Sequence, residues 1–148
     1  MSPRSNGVAL VLADRLHSAS IHLLRRLRRV DDATGVSAPS LSALSVLAFG
    51  GPRTLGELAA AERVRPPTMT RVVQDLERRG LVRRGSDSDD RRKTRLEATP
   101  AGARLLRAGQ SRRVAALATR VSQLGSADRR ALDRALTAVR GILDGWIE

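Results

Sequence analysis

The 148-residue chain has no cysteine, and its only aromatic side chains are Phe49 and Trp146. The first absence excludes a disulfide framework, a cysteine-ligated zinc and a thiol-based redox sensor. The second argues against single-strand nucleic-acid binders, which stack bases on several rings. No apolar run approaches the ~20 residues that span a bilayer. The apolar stretch Val8 to Leu12 is broken at once by Asp14 and Arg15, against a signal peptide, so a cytoplasmic chain is expected. A Gly-rich phosphate loop, a nucleophile motif and a cluster of metal ligands are also missing, so no enzyme, cofactor or metal is expected. His17 and His22 lie five apart, not at the spacing of four that chelates on one helix face.

What the chain has in excess is positive charge. Lys and Arg number 27 against 15 Asp and Glu, a formal +12, and the isoelectric point is near 11.8. Only Lys93 is lysine, so the cationic surface is almost all guanidinium, which grips phosphate or guanine bidentately. Such an excess indicates a polyanionic partner, with nucleic acid ahead of a membrane surface. Hydrophobic residues make up 41%, which suits a folded chain and not a disordered basic tail.

Periodicity predicts six helices. Ala9, Leu12, Leu16, Ala19, Leu23, Leu27 and Val30 recur at spacings of three and four, a long helix over about 8–30. After a turn-rich break, Pro39 and Ser40 open a second helix, Leu41 to Phe49, closed by Gly50-Gly51-Pro52. Thr54 and Glu57 have the spacing of a capping box before a short third helix. Arg63 and Val64 form a brief turn, and Pro66-Pro67 start a fourth helix that Gly80 stops. Residues 81–84 and 93–98 read as two strands of a hairpin with a long polar tip. Thr99-Pro100 restarts helix, Gly125-Ser126 interrupts it, and Leu132, Leu136, Val139, Leu143 and Trp146 stripe a sixth.

A short helix, a tight turn, a second helix and a two-stranded ribbon form a winged helix-turn-helix, whose second helix enters the major groove. On that helix Met69, Val72 and Leu76 are expected to face the core, with Val73 widening the stripe. Pro67, Thr70, Arg71, Gln74 and Arg78 are left outward, with Thr68 in the first turn. Hydroxyls allow close groove approach, and Arg or Gln reads purine edges. Residues 63–95 hold 11 basic and 5 acidic residues, a net +6 and half of the whole excess. A charge run alone is commonly a solvated face. Coincidence with the helix-turn-helix pattern raises duplex DNA well above that reading.

The segment Val64 to Val82, the tip Asp87-Ser88-Asp89-Asp90-Arg91-Arg92-Lys93 and the exit Leu96-Glu97-Ala98-Thr99-Pro100-Ala101-Gly102 resemble the MarR family of transcriptional regulators. The resemblance orders all six helices and the hairpin. It implies a mainly α fold: a winged helix-turn-helix over 51–98, and a helical dimerisation region of 8–50 plus 99–148. It also implies a homodimer, with Leu12, Leu16, Leu132, Leu136, Val139, Leu143 and Trp146 at the interface. These stripes exceed what one small winged helix covers, although folding back on their own core would also bury them. A small-molecule effector would sit between the first helix and the winged helix, where His17 either lines the pocket or serves packing alone. The chain departs from the family at Arg65, where a small capping residue usually precedes the proline, so Arg65 is expected to reach phosphate.

At the tip, Asp90 is expected to pair with an arginine and hold the loop in shape. Arg91 or Arg92, beside Lys93, then enters a narrow A·T minor groove or meets phosphate only. Asp87, Asp89 and Asp90 do not make a calcium loop, because the sixth-position Gly and the closing Glu are missing. The expected function is a dimeric double-stranded-DNA-binding regulator, a repressor; the rival is an architectural, nucleoid-type protein without an inducer.

Overall fold

The computed structural model describes residues 3–31, 34–86 and 94–145. The elements are α1 (Pro3–Asp31), α2 (Ala38–Gly50), α3 (Leu55–Ala61), α4 (Pro66–Arg78), β1 (Val82–Ser86), β2 (Thr94–Ala98), α5 (Pro100–Val121) and α6 (Ser126–Asp144). Local chemistry accounts for most of their boundaries. The Ser37 hydroxyl accepts the Ser40 amide at 3.3 Å and so caps α2. The helix begins at Ala38 and not at the Leu41 expected from sequence, because Ser37 is the extended residue that caps it and Pro39 is tolerated in the first turn. The capping box of α3 is present in both directions, Thr54 N–H to Glu57 Oε2 at 2.8 Å and Glu57 N–H to Thr54 Oγ1 at 3.2 Å. The carboxyl of Glu57 is thereby held below the usual carboxylate range, chiefly by the Thr54 amide.

Two helix ends share one hydrogen-bond pattern. At the end of α4, Gly80 (φ 67°) donates to Glu77 and Leu81 to Leu76, both at 2.9 Å. That commitment of the Leu81 amide delays β1 to Val82, one residue later than the sequence suggested. At the end of α3, Arg63 donates to Ala60 at 3.1 Å and Val64 to Ala59 at 3.0 Å. Here the left-handed position is taken by Arg63 (φ 53°), a conformation that costs a non-glycine residue roughly 1–2 kcal/mol.

The strands pair antiparallel with Val82 opposite Ala98 and Ser86 opposite Thr94, so Gly85 and Ser86 belong to the ladder and not to the tip. A single residue from the α2–α3 connection joins them: Arg53 exchanges two backbone hydrogen bonds with Leu96, at 3.0 and 2.7 Å.

The chain divides into two compact units, 1–111 and 112–148. The first holds the core: Ala43, Leu44 and Leu47 of α2, Leu58 and Ala59 of α3, Met69, Val73 and Leu76 of α4, with Val36, Leu81, Val82 and Leu96. The sequence puts Met69, Val72 and Leu76 in the α4 stripe, with Val73 at its margin. The structure buries Val73 completely and leaves Val72 half-buried, because α2, α3 and the ribbon converge on the 69–73–76 edge. Within the second unit, the described part of α6 contains no buried residue; Leu136 is 58% and Leu143 54% exposed. On α1, Leu12 is also exposed and Leu16 half-buried. Trp146 lies outside the described residues.

Candidate nucleic-acid interface

With ~100° between successive helical residues, Pro67, Arg71, Gln74 and Arg78 of α4 share an arc of about 60°. It lies opposite Met69, Val73 and Leu76, and all four of its side chains are exposed. The core therefore aims this face outward: rotating α4 to hide it would expose three fully buried apolar side chains. Thr70 sits at the flank, half-buried, and its hydroxyl donates to the Pro66 carbonyl at 3.0 Å. Its oxygen remains an acceptor, so Thr70 presents mainly its methyl and a lone pair. Arg65 precedes the helix and makes no side-chain cap, and it is exposed together with Thr68. Pro66 and Pro67 carry no amide hydrogen, and the Thr68 amide donates to the Arg65 carbonyl at 3.0 Å, so this end of α4 offers phosphate the Arg65 guanidinium and not free amides.

A shallow open groove runs along this face, lined by Arg71, Gln74, Glu77 and Arg78. Sequence reading missed Glu77, since a carboxylate is not sought on a surface that meets a polyanion. Its charge is answered by Arg84 of β1, whose Nε donates to Glu77 Oε1 at 2.7 Å and Nη2 to Oε2 at 3.2 Å. That hydrogen bonding raises the pKa of Arg84 further above its ordinary value. Asp75 receives Arg79 at 2.9 Å and Arg78 at 3.3 Å, leaving the Arg78 side chain 77% exposed. Within the ribbon, Arg83 pairs with the directly opposite Glu97 at 2.8 Å.

Behind the ribbon, Arg95 donates to the Pro52 carbonyl at 3.2 Å, and the buried Nε of Arg53 has no hydrogen-bond partner among the described residues. The expected tip contacts, Asp90, Arg91, Arg92 and Lys93, lie outside the described residues. His17 is exposed on α1. Among the described residues no group of acidic or histidine side chains is placed to hold a metal, and no helix is long and apolar enough to cross a membrane.

Comparison with known proteins agrees with this geometry. Residues 34–93 match the model of the MarR family. An HTH-type transcriptional regulator of Mycobacterium bovis is 38% identical over 133 residues, 90% of this chain and 93% of that protein. Among solved structures, a transcriptional regulator of Thermotoga maritima superposes with a TM-score of 0.81 at 24% identity, covering 91% of this chain and 95% of that one. A mutant MepR of Staphylococcus aureus, bound to an oligodeoxyribonucleotide, has the same fold, with a TM-score of 0.69 at 22% identity over 89% and 97% of the two chains. With α4 propped on a three-element core, a two-stranded wing beside it and a relative of this identity over nearly its whole length, the chain belongs to the MarR family of winged helix-turn-helix, DNA-binding transcriptional regulators.

Proposed function

We propose that the protein is a dimeric, sequence-specific repressor that binds an inverted repeat in duplex DNA and is released by a small anionic or aromatic ligand. The observation that carries the reading is the outward face of α4: Arg71, Gln74 and Arg78 in one exposed arc, flanked by Arg65 and Thr68 at the N-terminal turn. These side chains match purine edges and phosphates. Arg91, Arg92 and Lys93 at the wing tip add minor-groove or phosphate contacts, with Asp90 shaping the loop. The apolar side chains left exposed on α1 and α6 support a homodimer: Leu12, Leu136 and Leu143 are each more than half exposed. Leu16, Leu132, Val139 and Trp146 complete the proposed interface, and His17 is the proposed effector contact.

Selection from a randomised duplex pool, followed by sedimentation of the complex, tests this. Two subunits should recover an inverted repeat with half-site centres about 10 bp apart. Affinity should fall with salt with a log–log slope on the order of −6 to −9 if roughly 6–10 phosphates are neutralised. A non-repeated site, or equal affinity for random duplex at physiological salt, would replace this reading with the architectural one.

A further inference from the structure

Glu77 is an anomaly on its surface. It lines the same groove as Arg71, Gln74 and Arg78, where a bare carboxylate would repel phosphate. Arg84 meets it with two hydrogen bonds, at 2.7 and 3.2 Å, in the parallel fork that guanidinium and carboxylate make. The partners sit on different elements. Glu77 is in the last turn of α4, and Arg84 is the middle residue of β1, opposite Leu96. Between them the chain turns sharply through Gly80. The neighbouring Arg83 is spent inside the ribbon on Glu97, so the two arginines serve different joints: one ties strand to strand, the other strand to helix.

We propose that Glu77 and Arg84 are positioning residues for DNA recognition. Their bidentate pair is a strut that sets the angle of the wing against α4, so that both engage one duplex together. This rests on the DNA-binding reading and deepens it. The pair is only partly covered, with the Arg84 side chain 48% and that of Glu77 27% exposed, and an exposed ion pair contributes little to folding. Its value lies in geometry. Lysine at 84 keeps the charge and loses the fork, and glutamine at 77 keeps the shape and loses the charge.

The strut predicts an effect opposite in sign to simple electrostatics. Removing a negative charge beside the phosphates should tighten DNA binding if Glu77 were a bystander. If it positions the wing, Glu77→Gln weakens binding by about tenfold, equivalent to ~1.4 kcal/mol, and lowers the salt slope as wing contacts are lost. Arg84→Lys, with net charge unchanged, does the same. The double variant loses little more than either single one, because both break one device. The measurement is affinity against salt, for the wild type and the three variants, on the duplex that the wild type selects and on a random duplex. Thermal unfolding confirms that each is folded.

Tighter binding by Glu77→Gln, or wild-type affinity in Arg84→Lys, overturns the strut. So do additive losses, which would make Arg84 an ordinary phosphate contact. A wild type that binds neither duplex instead overturns the DNA-binding reading, before the variants are compared.

Discussion

Gly102 offers a direct test of how the winged helix is joined to α5. The Thr99 hydroxyl caps α5 by accepting the Gly102 amide at 3.1 Å and donates to the Gly80 carbonyl at 2.7 Å. The Thr99 amide donates to the Leu81 carbonyl at 3.0 Å. The first turn of α5 is thus laced onto the chain segment that ends α4. A Cβ at position 102 would lie well inside contact distance of the Leu81 carbonyl oxygen and 2.9 Å from Leu44 Cδ1. The first neighbour is backbone that already accepts a hydrogen bond, and the second is fully buried, so neither yields easily.

Gly102→Ala should gain about 1 kcal/mol of helix propensity. Against this stand about 1–3 kcal/mol of overpacking and about 1 kcal/mol for a strained or lost Thr99–Leu81 hydrogen bond. The net loss is roughly 1–3 kcal/mol, a fall in Tm of about 4–12 °C at ~4 °C per kcal/mol for a chain of this size. Gly141→Ala is the control. Gly141 is helical with nothing within 4 Å of the added carbon, so that variant should hold or raise Tm. Urea and thermal unfolding of the pair at equal concentration decide the matter. If both variants behave alike, the close approach of α5 to Leu81 is wrong.

Four further outcomes are expected. Gln74→Ala should cost about 1–3 kcal/mol of binding and relax preference at one base pair, whereas Thr70→Val should cost less, since the Thr70 hydroxyl already serves the Pro66 carbonyl; equal effects in a binding-site selection would contradict the assigned face. Arg91→Ala should weaken operators with A·T-rich flanks more than G·C-flanked ones, and equal losses would leave Arg91 as a phosphate contact. Leu136→Glu should shift the sedimenting species toward monomer, and an unchanged dimer would remove α6 from the interface. The depressed pKa of Glu57 contributes stability that is present above the ordinary carboxylate pKa and lost as pH falls through the lower folded value. The gap between wild type and Glu57→Gln should therefore close below about pH 4, and parallel pH profiles would rule out a contribution from the Glu57 charge, since glutamine can still complete the capping box.

Much of the architecture was readable because its causes are local. Thr54 and Glu57 are three residues apart, Pro66 and Pro67 precede a helix that Gly80 ends, and Met69 and Leu76 repeat at helical spacing. Such signals act within one or two turns, so they specify elements and the charge they carry without reference to the rest of the molecule. The exposed arc of Arg71, Gln74 and Arg78 was legible for the same reason. Val73 was misplaced at the edge of the stripe, because three neighbouring residues were equally apolar, and only the direction from which α2, α3 and the ribbon approach selects among them.

The remaining features depend on distances between elements that no spacing encodes. Arg53 becomes a third, one-residue strand because the α2–α3 connection passes beside Leu96. Gly102 must lack a side chain because α5 crosses the Leu81 carbonyl. Glu77 is answered in the groove it shares with Arg71, Gln74 and Arg78 because the turn at Gly80 brings Arg84 back onto it. Chemical type and helical period lie in the order of the residues, but which charge meets which partner is set by packing, since the hydrogen bonds that join such pairs are lost within about an ångström of misplacement.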